Sequence, residues 1–178
     1  MAKFGKRKRS TLLGGCVVIF VTVGSMFPFD RMIRMMDAWA ALHPGEEVFA
    51  QIGGGSYLPK HMRWQRIFTP TEYKEIVRTC RLMVAHAGTG SVFTASDFRM
   101  PIVLIPRRAA NKEHTTDHQV DTARWLEGKP GIFVVWSDDE LAPAIDHAAE
   151  ARSNLQSLIP SCAPAPFVEQ IRNFLLTA

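Results

Sequence analysis

The chain has 178 residues, 47% of them hydrophobic and 21% charged, with a formal net charge of +4. That size and balance suit one domain with a substantial core and exclude wholesale disorder. Lys3, Lys6, Arg7, Lys8 and Arg9 account for the excess of positive charge, leaving 16 basic against 17 acidic residues elsewhere, so no nucleic-acid-binding face is expected on the folded body.

A basic tail on a near-neutral body suits an anionic lipid surface or an acidic partner, and equally a plain solvated tail. Cys16, Cys80 and Cys162 are widely spaced, odd in number and without a CxxC pair. Neither a disulfide framework nor a zinc site follows, and a reducing cytoplasm is the expected setting.

In chain order, "CVVIFVTVG" comes first. The basic residues ahead of it imitate a signal peptide. The run is nevertheless shorter than the roughly 20 residues that cross a bilayer, and "SMFPFD" stands where a small-residue cleavage site would be. Its β-branched, glycine-ended composition predicts a parallel strand buried on both faces. "PFDRMIRMMDAWAAL" places Met32, Met35, Met36, Trp39 and Leu42 at helical spacing before "HPG" ends it. "EVFAQIGGG" and "MRWQRIFTP" are predicted strands, and Thr71 is the expected cap of the helix "EYKEIVRTC". "LMVAHAG" is a strand and "SVFTASDF" a helix. "PIVLIP" leads through a polar loop to the helix "TDHQVDTARWLEG", and "GIFVVW" to "DDELAPAIDHAAEAR". "IPSCAPAP" is a Pro-rich joint before the amphipathic "FVEQIRNFLLTA".

This alternation predicts an α/β fold, a Rossmann-like parallel sheet with helices on both faces. The expected organisation is a basic tail over 1–15, a Rossmann-like domain over 16–152 (nucleotide-sugar-binding, on the resemblance given below), a Pro-containing linker over 153–165 and a terminal amphipathic helix over 166–178. Ligands of such sheets bind at the carboxyl ends of the strands. Three loaded loops converge there: "GSMFPFD", "HAGTGS" and "PRRAANKEHTTDHQ".

Those stretches, "VIFVTVGSMFPFDRMIR", "HAGTGSVFTASDFRMPIVLIPR" and "EHTTDHQVDTAR", resemble the donor-binding C-terminal half of family 28 glycosyltransferases. The similarity extends roughly from Val17 to Arg152. It is nearest the small one-domain members, which include the eukaryotic two-subunit dolichol-linked GlcNAc transferases and bacterial exopolysaccharide proteins of the PssE type. It implies the C-terminal half of a GT-B fold, a UDP-sugar donor and no metal or other cofactor. The implied partner is a membrane-anchored, acceptor-binding subunit of the PssD kind, presenting a lipid-linked saccharide. The expected location is therefore cytoplasmic and peripheral, at the inner face of a bacterial membrane.

Residue by residue, the resemblance places His86 and Ser91 on the donor phosphates, with His86 stabilising the leaving group. Gly88, Thr89, Gly90 and Ser91 would add free amides and hydroxyls at a helix start, where an anion is favoured. Gly24 and Ser25 match the glycine loop near the diphosphate. A plain strand-to-helix turn, and a strand-end histidine satisfied by backbone, are the alternative readings of these residues. Asp117, His118 and Gln119 match the segment that holds the donor sugar, Gln119 foremost because an amide both donates and accepts. Glu113, His114, Asp117 and His118 also admit a metal-site reading. Thr94 stands where many members carry a ribose-binding glutamate, so its shorter, uncharged side chain implies weaker ribose contact. Arg107, matching a family arginine better than Arg108 does, is the candidate reader of a glucuronate carboxylate through two parallel hydrogen bonds.

The resulting expectation is the donor-binding, catalytic-side subunit of a two-component inverting transferase. Its best-guess sugar is glucuronate, its acceptor is polyprenyl-diphosphate-linked, and its general base is expected on the partner. The rival expectation is a non-catalytic nucleotide-sugar-binding or scaffold subunit.

Overall fold

Every side chain of β1 (Val18–Thr22) is buried, as its unbroken β-branched run requires of a strand covered on both faces. In a computed structural model, which describes residues 18–151 and 163–177, β1 lies near the centre of a six-stranded, all-parallel sheet. The others are β2 (Val48–Gln51), β3 (Arg63–Gln65), β4 (Cys80–His86), β5 (Ile102–Ile105) and β6 (Ile132–Val134). Their order across the sheet is β3-β2-β1-β4-β5-β6, the doubly wound arrangement of Rossmann domains.

Two hydrophobic clusters cover the two faces, and the period-two geometry of β1 divides its residues between them. Ile19 and Val21 pack with α1 (Asp30–Leu42) and α5 (Leu141–Ala151). Val18 and Phe20 pack with α2 (Pro70–Thr79), α3 (Thr89–Asp97) and α4 (His118–Leu126).

Several helix starts differ from the sequence expectation. Helix α2 is capped by Thr69 rather than Thr71. Thr69 Oγ1 accepts from the Glu72 amide while the Glu72 carboxylate takes the Thr69 amide, a reciprocal box, and Pro70 fills the first helical position. Helix α3 begins at Thr89, two residues before "SVFTASDF", because Gly88 serves as its cap. Helix α4 begins at His118 and leaves Asp117 at the cap position. A short 3-10 turn, Asp138–Glu140, precedes α5 where one continuous helix was expected.

The terminal helix α6 (Ala165–Thr177) has its described side chains exposed, including Phe167, Ile171, Phe174 and Leu175. The tail over 1–15, the start of the 16–152 unit and most of the 153–165 linker lie outside the described residues. Among the described residues, no helix is long and apolar enough to cross a membrane.

Candidate functional site

The order of strands reverses between β1 and β4, and their two connections leave in opposite directions. A crevice opens beyond their carboxyl ends, where ligands of doubly wound sheets sit. A cavity of about 650 Å³ occupies this position. It gathers Gly24, Ser25, His86, Gly88, Thr89, Gly90, Ser91, Arg107, His118 and Gln119 from the three loops that the sequence analysis singled out, and Thr94 from α3. Asp117 is not among its lining residues.

His86, the last residue of β4, occupies a slot between two glycines. A Cβ on Gly24 or on Gly88 would stand within 3.0 Å of the imidazole, closer than real Cβ contacts allow. Gly24 also has φ +78°, the left-handed region that glycine enters without strain. The glycines are therefore steric requirements of a histidine that crosses the floor of the crevice. Burial, first, and the nearby Arg107 charge, second, push the His86 pKa down to about 4 against the raising effect of the Thr22 backbone. The ring is neutral at pH 7, so one nitrogen donates and the other accepts. Its Nδ1 is buried without a hydrogen-bond partner.

Helix α3 starts beside this ring. Gly88 brings no capping side chain; its carbonyl takes the Ser91 amide at 3.1 Å, which leaves the Thr89 and Gly90 amides without a side-chain cap at the positive end of the helix, beside the crevice. Thr89 and Gly90 are exposed, and Ser91 is buried at the cavity wall. The hydroxyl of Thr94 donates to Gly90 O at 2.8 Å and hydrogen-bonds Tyr73. It therefore reaches the cavity already partnered.

Arg107 is 2% exposed, and its Nη2 donates to Val23 O at 2.8 Å and to Phe27 O. Both two-point edges of a guanidinium, Nε with Nη2 and Nη1 with Nη2, include that nitrogen. The expected carboxylate fork on Arg107 is thus occupied by the first glycine loop. Arg108 is likewise tied, from Nη2 to Trp136 O. The Arg107 amide donates to Gln119 Oε1 at 3.2 Å, so buried Gln119 braces the strand end as well as lining the cavity. Asp117 accepts from the Ala109 amide at 2.8 Å, organising the loop from outside the cavity.

The residues weighed as metal ligands are divided between other tasks. Glu113 pairs with Arg31 and takes the Arg108 amide. His114 stacks edge-on between Phe27 and His118. Among the described residues, no group of three or more His, Cys, Asp or Glu is arranged to hold a metal ion.

Sequence reasoning missed the opposite wall. Thr22 Oγ1 donates to Gln51 Oε1 at 2.8 Å and accepts from the Gly24 amide, pinning the β1 turn to the end of β2. Phe68 from the β3–α2 connection and Pro70 and Tyr73 from the start of α2 complete that wall. A buried polar pair at two strand ends was the available signal, in "VTVG" and "AQIG", but pairing them requires the strand register.

This doubly wound half-domain, with its glycine-flanked helix start over the β1–β4 switch point, belongs to the glycosyltransferase family 28 C-terminal domain, whose profile matches residues 18–129. The chain is 28% identical over 126 residues to the human UDP-N-acetylglucosamine transferase subunit ALG13, a match covering 65% of this chain and 11% of that protein. Solved structures share the fold. MurG from Acinetobacter baumannii superposes with TM-score 0.56 at 16% identity over 90% of this chain and 51% of its own. ALG13, solved by NMR, gives 0.56 at 14% identity, over 87% and 94%. The calicheamicin glycosyltransferase CalG4 gives 0.56 at 18%, over 89% and 43%. The chain thus spans about a ninth of the curated relative and about half of MurG and CalG4.

Proposed function

We propose that this chain is the donor-binding half of a UDP-sugar glycosyltransferase whose acceptor-binding half is a separate, membrane-attached protein. The observation that carries the reading is the convergence of the bare α3 start, neutral His86 and the Gly24 turn on one crevice at the switch point. Membership of the family and the likeness to a UDP-N-acetylglucosamine transferase subunit support it.

In the proposed reaction an acceptor hydroxyl attacks the anomeric carbon in one displacement. The bond from that carbon to the UDP oxygen breaks, and UDP departs with the electron pair. The α3 amides and the His86 N–H receive the charge growing on the diphosphate, as preorganised dipoles do in a site closed from water. No carboxylate in the crevice is placed as general base, so the acceptor proton is assigned to the partner. The reading includes no metal. We further assign the exposed apolar side chains of α6 to the contact with that partner, and exopolysaccharide assembly on a polyprenyl-diphosphate-linked saccharide as the setting.

The sugar is the finest part of the reading. The PssE-type resemblance favours glucuronate, and the ALG13 likeness favours N-acetylglucosamine. Both arginines hold backbone carbonyls, and on that ground we take the donor as a UDP-sugar without assigning it a charged-sugar preference.

The test is calorimetric titration of the chain with UDP, UDP-N-acetylglucosamine and UDP-glucuronate. Transfer to a lipid-linked acceptor is then assayed with and without the membrane fraction, and with EDTA. UDP binding that His86→Ala and Ser91→Ala weaken is the expected result. Absence of UDP binding, or UDP binding indifferent to both variants, overturns the reading.

A further inference from the structure

We propose that Arg107 is the buried counter-charge of the donor's diphosphate, and that it couples the seating of that diphosphate to the order of the Val23–Phe27 loop. The inference rests on the UDP-sugar reading and assigns to one residue the anion-selecting part of that site.

Its basis is an imbalance. Arg107 is almost fully buried at the cavity wall, yet among the described residues it takes part in no ion pair. The acid nearest in effect, Glu113, is committed through both oxygens to Arg31. Two carbonyls of the first glycine loop satisfy Nη2, the Phe29 ring lies 5.0 Å from the guanidinium carbon, and Nε is buried without a partner. A cation stripped of water and left without an anion is costly, and such groups are paired in folded proteins or held for a ligand. Burial draws the Arg107 pKa down to about 10, which still leaves it charged at pH 7.

The cavity that Arg107 shares with His86, Gly24, Gly88 and Ser91 is where an anion would complete it. Of the two anions on a charged UDP-sugar, the carboxylate gains most from a two-point seat, which Nη2 no longer offers. A diphosphate takes single hydrogen bonds and charge from many directions at once. The first glycine loop is held by the same guanidinium, so the loop and the anion depend on one group.

The experiment titrates uridine, UDP and inorganic pyrophosphate into the full chain as wild type, Arg107→Gln and Arg107→Lys. The glutamine keeps an N–H donor for the two carbonyls and removes the charge, and the lysine keeps the charge and removes the fork. Expected is near-unchanged uridine affinity in Arg107→Gln with a loss of about tenfold or more for UDP and pyrophosphate, the scale of one charge-assisted hydrogen bond. The Lys variant should recover part of that loss. Wild-type-like UDP binding by Arg107→Gln, or an equal loss for uridine and UDP, overturns the proposal, the second because it marks a loop support alone. If circular dichroism shows the glutamine variant unfolded, the lysine variant decides: a UDP-to-uridine ratio within tenfold of wild type supports the counter-charge, and a collapsed ratio refutes it. Arg107-dependent pyrophosphate binding without UDP binding would sink the UDP-sugar reading and leave the counter-charge standing. Binding of none of the three by wild type would sink both.

Discussion

Arg31 grips Glu113 by two parallel hydrogen bonds, Nε to Oε1 at 2.7 Å and Nη2 to Oε2 at 3.1 Å. They are 82 residues apart in sequence. One stands in the first turn of α1 and the other in the loop after β5, so the pair ties the first glycine loop's helix to the segment bearing Arg107 and Gln119. Arg31 Nη2 also donates to Pro106 O, and Glu113 Oε2 accepts the Arg108 amide. Both side chains are largely shielded, so this is more than a surface pair.

Glu113→Ala should therefore cost about 1–3 kcal/mol of stability, because a part-buried guanidinium and an amide both lose their acceptor. Urea unfolding measures this. The same variant should weaken UDP binding by loosening the strand end under Arg107. Unchanged unfolding and unchanged affinity together would show the clamp to be idle.

The two glycines of "HAGTG" should respond in opposite ways to alanine. At Gly88 a Cβ meets the His86 ring within 3.0 Å, and at Gly90 it meets nothing within 4 Å. Gly88→Ala should destabilise by about 1–3 kcal/mol, the usual scale of overpacking, and displace the ring from the crevice. Gly90→Ala, in the first turn of α3, should hold or raise stability by up to about 1 kcal/mol through helix propensity. Paired thermal melts check the contrast.

The neutral state of His86 sets a pH dependence. Its folded pKa, about 4, lies below the ordinary 6.5, so between those values the unfolded chain binds more protons than the folded one. The histidine's contribution is complete above about pH 6.5 and is lost as pH falls through that window to about 4. The loss reaches roughly 3 kcal/mol. Urea midpoints measured from pH 7 to 4 should fall for wild type and fall less steeply for His86→Asn.

Donor choice should follow the tied arginines. UDP-glucuronate should bind no more tightly than UDP-N-acetylglucosamine, and Arg107→Ala should weaken both together with UDP itself. A clear preference for glucuronate, erased by Arg107→Ala with UDP binding intact, would restore a carboxylate-reading role.

The strand and helix order, the parallel sheet and the three loops at one edge were legible in residue types alone. β-branched runs as in "VVIFVTV" suit only a strand covered on both faces, and amphipathic spacing as in "MIRMMDAW" suits only a helix with one buried face. The family signature in "HAGTGSVFT" was local for the same reason, since a phosphate seat at a helix start needs consecutive bare residues. What the sequence alone did not carry are the relationships across long separations. Arg107 reads as a carboxylate fork beside the donor sugar until β5 is set next to β4 and β1, which turns its side chain under the Val23 and Phe27 carbonyls. Thr22 and Gln51 become a pair only through the β1–β2 register, and Thr69 caps α2 in place of Thr71 because Pro70 had to take the first helical position. Hydrophobic period and glycine placement are properties of neighbouring residues and so survive in one dimension. The burial of a charge, and the choice of which carbonyls it satisfies, depend on which strands lie side by side, and that was decided only in the folded sheet.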